Sequence, residues 1–273
     1  MTPLPAFAAH PDVWLVLGGV VGIYLYAVIR IGPLMVESGA KPANARQIGS
    51  FLAGVGVLWL VSDWPVHDIA EQSLYSVHMA QHMAIMLIAP PLLLAGTPRW
   101  LAEVLLPSRI RPAVRAICAP VPALLISIAV LVFTHWPAVV TVAVTSGPAH
   151  FALHSLALVA AIVMWMPILS PTPVVPRARP FVQIGYLFAQ SVIPTIPASF
   201  LTFGHEPLYR VYGDAAEIWG ISAVTDQTMA GLLMKIGGGL ILWGWIAVTW
   251  FRWYREEQTW ESLERELRRP SVP

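Results

Sequence analysis

Charge is what this sequence has least of. Asp, Glu, Lys and Arg make up 11% of its 273 residues, less than half of the roughly 25% usual in a soluble domain. Apolar residues make up 57%, and the mean hydropathy is +0.67. That balance excludes a soluble enzyme and implies a polytopic membrane protein with the lipid bilayer as its main surroundings. The net charge of +1 leaves no basic face for a nucleic-acid partner. Cysteine is nearly absent: Cys118 stands alone, which excludes an intramolecular disulfide and any CxxC metal motif. The first twelve residues hold no Lys or Arg. They lack the basic segment of a cleaved secretory signal, so the first apolar run is expected to stay as a span.

What is there in abundance is long apolar runs. A membrane-spanning helix needs about 20 mostly apolar residues, and seven runs qualify: 13–31, 47–64, 74–95, 114–136, 151–169, 181–203 and 225–251. The expected fold is therefore an all-α transmembrane bundle over residues 1–251, followed by a tail at 252–273. Pro90, Pro91, Pro194 and Pro197 fall inside runs; each removes a backbone donor, so those helices should kink or end early. Basic residues set the orientation. The loops after runs one, three and five, together with the tail, hold 14 of the 16 Lys and Arg residues. Arg210 lies on the other side and Lys235 within run seven. The expectation is an outer N-terminus, a cytoplasmic C-terminus, and a multi-pass position in the inner (plasma) membrane, with the loop around Asp214 outside. In the tail, Trp253, Trp260, Leu263 and Leu267 form one stripe, and Glu261/Arg265 and Glu264/Arg268 are i,i+4 pairs. This reads as an amphipathic helix on the inner leaflet.

The same topology puts all eight histidines at or near the outer face. Two pairs share the form HxxxH: His78 with His82, opening run three, and His150 with His154, opening run five. Residues four apart share a helix face, so each pair can hold a metal ion or supply half of a shared site. Met86 continues the line of His78 and His82, with Met79 and Met83 beside it. Thioether and imidazole together suit a soft ion, copper(I) first. Asp226, at the outer start of run seven, is a further candidate ligand, its alternative role being to cap that helix. His10 and His67 read as solvated. Lys235, about ten residues into run seven, must be neutral, paired or turned to a polar cavity, with backbone oxygen or water as the expected partner.

At these residues the chain resembles a known family. The run His78-Met79-Ala80-Gln81-His82-Met83, then Ala89-Pro90-Pro91 and Gly96-Thr97-Pro98, is similar to the signature of the multi-span CtaG family. The likeness continues through His150 and His154, Trp165, Leu201-Thr202-Phe203, Pro207-Leu208-Tyr209, Asp226-Gln227 and Gly231-Leu232-Leu233-Met234. The chain departs from the pattern at Thr225, where many members carry an acidic residue. It departs again at Lys235 and Gly237, where many carry an aromatic residue and then a proline. A single-span copper chaperone of the same name uses cysteine ligands and is excluded by the lone Cys118. The resemblance implies an assembly factor for haem-copper cytochrome c oxidase, with oxidase subunits as partners, acting at the copper centres. No catalytic residue is expected. The candidate ligands for copper are His78, His82, His150 and His154, then Met79, Met83, Met86 and Asp226. Three other readings stay open: an intramembrane zinc hydrolase with Asp226 as base, a haem b carrier, and a scaffold that binds oxidase subunits without metal.

Overall fold

The computed structural model describes residues 4–213 and 215–267, with side chains as far as Glu261. Asp214, Arg268 and Arg269, and the side chains of Leu263, Glu264, Arg265 and Leu267, lie outside the described residues. The described chain is helical throughout, with no strand. Its helices are α1 (Pro11–Met35), α2 (Ala45–Ser62), α3 (Val66–Gln72), α4 (Tyr75–Gly96), α5 (Arg99–Leu105), α6 (Arg111–Ile117), α7 (Pro120–Thr134), α8 (Pro137–Thr145), α9 (Gly147–Leu169), α10 (Pro180–Phe203) and α11 (Ala223–Glu261). Six of these, α1, α2, α4, α9, α10 and α11, are long and apolar enough to cross a membrane. The protein is a multi-pass membrane bundle.

The fourth expected span is not one helix. α6 and α7 meet at a 72° bend, and a seventh span exists only if the bent pair is taken together. The cause is local. Pro120 and Pro122 follow Ala119, and a residue before proline is pushed out of the helical region. Ala119 accordingly sits extended at φ −67°, ψ 150°. By contrast α11 is continuous, and its helical backbone runs on through the start of the tail to Leu267.

α4 is the hub. It packs on α2, α9 and α11; α9 packs on α7, α7 on α10, and α10 on α11. These contacts close a ring of five helices, with α1 and α2 outside it. Pro90 and Pro91 do not end α4. The helix widens into a π-turn at Ala84–Ile88 and resumes at Ala89–Gly96. Pro90 has no N–H to give to the carbonyl of Met86, four residues earlier. The indole N–H of Trp165 donates to that carbonyl instead, at 2.9 Å. A buried carbonyl freed by proline is thus satisfied from α9, which also fixes α9 against α4. At Gly96 the contact with α2 leaves no room for a side chain: a Cβ there would lie 2.4 Å from the Phe51 nitrogen.

Candidate metal centre

His78 and His82 project from the first turns of α4, and His154 faces them from the second turn of α9. One ligand atom from each lies within 4.8 Å of the others. The ring centroids are 4.6 Å apart for His78–His82, 4.8 Å for His82–His154 and 5.7 Å for His78–His154. An ion held about 2.0–2.1 Å from each nitrogen in a tetrahedral site needs ligand atoms about 3.3 Å apart, so small side-chain rotations would close the triad around one ion. Nδ1 of His78, Nδ1 of His82 and Nε2 of His154 are buried, and none finds a hydrogen-bond partner among the described residues. Buried polar atoms in proteins are nearly always paired, and each unpaired one costs about 1–3 kcal/mol. Three neighbouring histidines, each with such an atom, fit a metal ion better than a packing role.

His150 is beside the triad but not of it. Its ring packs tilted against His154, 4.0 Å between centroids, while its Nδ1 lies 2.8 Å from a Glu71 carboxylate oxygen. Glu71 also lies 3.5 Å from His67 Nε2. His67, Glu71 and His150 form a second group whose ligand atoms fall within 4.8 Å of one another. The sequence reading of His67 and His10 as solvated is corrected here. α3 turns back across the bundle and brings His67 against His150, at 5.1 Å between centroids. Gln81 anchors that turn. Its amide donates to the carbonyl of Val61, whose helical partner would have been Pro65, at 2.7 Å, and lies 3.3 Å from His67 Nδ1. His10 meets His67 edge-on, 4.9 Å between centroids, and pairs with the buried Asp68 at 3.0 Å. Burial holds the His67 pKa below the usual imidazole value, against the pull of Glu71. Burial would raise Glu71, but the hydrogen bond from His150 and the nearby histidines outweigh it, and its pKa lies below the usual carboxylate range.

At the other end of the cluster, His135 lies 6.0 Å from His82 between centroids. Seven of the eight histidines thus form one connected chain; His205 is exposed and outside it. The triad sits between two spaces. On one side is a groove of about 380 Å³ lined by His67, Glu71, His150 and His154, with apolar walls from α1 and α2. On the other, inside the helix ring, is a cavity of about 70 Å³ lined by His82, His135 and the methionines 79, 83, 86, 164 and 234. Met79, Met83 and Met86 therefore face the same space as His82. Met164 and Met234, from α9 and α11, were not anticipated; only the tertiary contact of the three helices joins them to the α4 stripe.

Asp226 is placed elsewhere. Its carboxylate accepts from the backbone N–H groups of Tyr75, at 2.6 Å, and Ser76, at 3.1 Å, and from the Ser76 hydroxyl. It caps α4, which has no side-chain cap of its own. α11 is capped by Ser222. With its oxygens so engaged, Asp226 is not among the groups gathered around the histidines. Lys235 lies in a π-turn of α11 and donates to the Ser199 hydroxyl at 3.2 Å, with its ammonium 4.9 Å from the centre of the Phe203 ring. The partner is a side chain of α10, where backbone or water was expected.

An all-helical membrane bundle with a buried imidazole cluster at one end defines the class of protein. The family described as cytochrome c oxidase caa3 assembly factor (Caa3_CtaG) matches residues 22–256. The chain belongs to that family, and the match runs through both histidine groups and the methionine-lined cavity. No curated protein and no solved structure matches the chain.

Proposed function

We propose that this protein handles copper(I) for cytochrome c oxidase assembly, holding the ion on His78, His82 and His154 and passing it to an oxidase subunit. One observation carries the reading: three imidazoles from two helices converge, two of them buried and the third half-buried, each with a buried nitrogen left without a partner among the described residues. The methionine-lined cavity against His82 supports a soft ion. Three imidazoles make a low coordination number, which leaves a position for the receiving ligand. The rings of the triad pack against one another, so no flat macrocycle separates them, which disfavours a haem carrier. With Asp226 engaged in capping α4, the residue expected as base in the zinc-hydrolase reading is not at the triad. The role is that of a chaperone with copper as cargo, not of an enzyme.

The charge asymmetry supports an outer N-terminus and histidine end in the plasma membrane. Reporter fusions should then place the loop around Arg109 and the tail in the cytoplasm. The decisive test is metal analysis of protein purified without oxygen, wild type beside His78→Ala/His82→Ala. Wild type should carry one copper(I) that the double variant lacks, and cells with the variant should make oxidase subunits but assemble an enzyme poor in copper. A wild-type protein that takes no copper(I) sinks the reading and leaves a scaffold for oxidase subunits in the lead.

A further inference from the structure

Beyond the copper(I) triad, His67, Glu71 and His150 are a distinct set of donors with different chemistry. We infer that they form a second metal centre, one that takes a divalent first-row ion from the groove. Two imidazoles and a carboxylate are a harder, anionic set that suits Zn²⁺ or Cu²⁺, where imidazole with thioether suits copper(I). The three ligand atoms lie within 4.8 Å of one another. The carboxylate stands between the rings, 2.8 Å from His150 Nδ1 and 3.5 Å from His67 Nε2.

Two features separate this from a plain hydrogen-bonded network. His150 is 5% exposed and both its ring nitrogens are buried without a hydrogen-bond partner among the described residues, Nδ1 lying 2.8 Å from the Glu71 carboxylate. All three residues line the groove of about 380 Å³, so an ion has a way in and open coordination positions. Outer contacts orient the ligands, as metal sites require. Gln81 holds the far side of His67, and His10, itself anchored by Asp68, meets it at a right angle. The two centres meet where His150 packs against His154, so an ion at the groove site sits one imidazole away from the triad.

The test uses the full-length protein, metal-free, titrated separately with Zn²⁺ and with copper(I). Wild type should bind one Zn²⁺ at this centre. Glu71→Gln, which keeps the side-chain shape, and His67→Gln should each weaken Zn²⁺ at least tenfold while copper(I) uptake stays within twofold. His78→Ala/His82→Ala should do the reverse. Cu²⁺ added in place of Zn²⁺ should give an electron paramagnetic resonance spectrum with nitrogen couplings that both groove variants alter. If folded wild type binds no Zn²⁺, or if both groove variants bind it as wild type does, the second centre is refuted. Zn²⁺ bound with the expected variant pattern, but no copper(I) bound by wild type, would refute the copper role and uphold this centre.

Discussion

The polar groups buried in this bundle fall into two sets, and they differ in how they are satisfied. Along α10, α11 and the start of α4, every one named has a partner. Asp226 accepts three hydrogen bonds at the head of α4. Gln227 accepts from the Leu208 N–H at 2.6 Å, and Lys235 donates to Ser199. Around the α4–α9 contact, four histidines each keep a buried nitrogen without one. Water or a second side chain would normally fill such sites. A polar group with partners on every side holds the fold together. One deprived of them inside a membrane bundle is a place for something that is not protein. The first set should govern stability and the second should govern metal, and substitutions can test whether that division holds.

The largest effect is expected at the triad. His78→Ala with His82→Ala removes two of three ligands and should weaken copper(I) by more than about a hundredfold, roughly 3 kcal/mol. Thermal unfolding in detergent should change little, because two unsatisfied imidazoles leave with the substitution. A large loss of stability with copper(I) retained would reverse the division.

Asp226→Asn comes next and acts on the other set. An amide has one acceptor oxygen where the carboxylate has two, and its NH₂ would face the donors of Tyr75 and Ser76. The cost should be about 1–3 kcal/mol, read as earlier thermal unfolding, with copper(I) per folded molecule unchanged. Trp165→Phe should cost about 1 kcal/mol by stranding the Met86 carbonyl that Pro90 leaves open. The same two readouts check it: unfolding shifts and metal uptake stays.

The contrast also marks what the sequence could disclose. Both HxxxH pairs are written in it, because four-residue spacing fixes a shared helix face before anything packs. Their division between two sites is not. His150 and His154 share a face, yet His150 is claimed by Glu71 on α3, a short helix between spans that no apolar run announces. His10 and His67 seemed solvated for the same reason: their burial depends on how the 63–74 segment folds back, a tertiary fact. The bend between α6 and α7 was readable from Pro120 and Pro122 but hidden by the apolar run through them, since hydropathy counts composition and ignores missing donors. Asp226 had the right residue type for a cap and sits on the helix expected, but it caps α4 instead of its own helix. Sequence spacing sees partners within an element and is blind to those across one.

Lys235 is the finest test of the comparison, because the expected change is smallest. A lysine near the middle of a span costs about 2.5–3.5 kcal/mol on insertion scales. Against that stand one hydrogen bond to Ser199 at 3.2 Å and the face of Phe203 at 4.9 Å, the second worth about 0.5–2 kcal/mol. The two sides nearly cancel. Lys235→Met keeps the length of the side chain, removes the charge, and returns Ser199 to a hydroxyl that can bond its own helix, where it already donates to the Thr195 carbonyl at 2.6 Å. The variant should accumulate and unfold as wild type does, or slightly later. Because Lys235 contacts Ser199 and Phe203 of α10 and, among the described interactions, no histidine, copper(I) uptake and oxidase maturation should also be unaltered. Normal accumulation and normal copper(I) binding with failed oxidase maturation would place Lys235 in the transfer step, and a satisfied polar group would then have to be counted with the functional set.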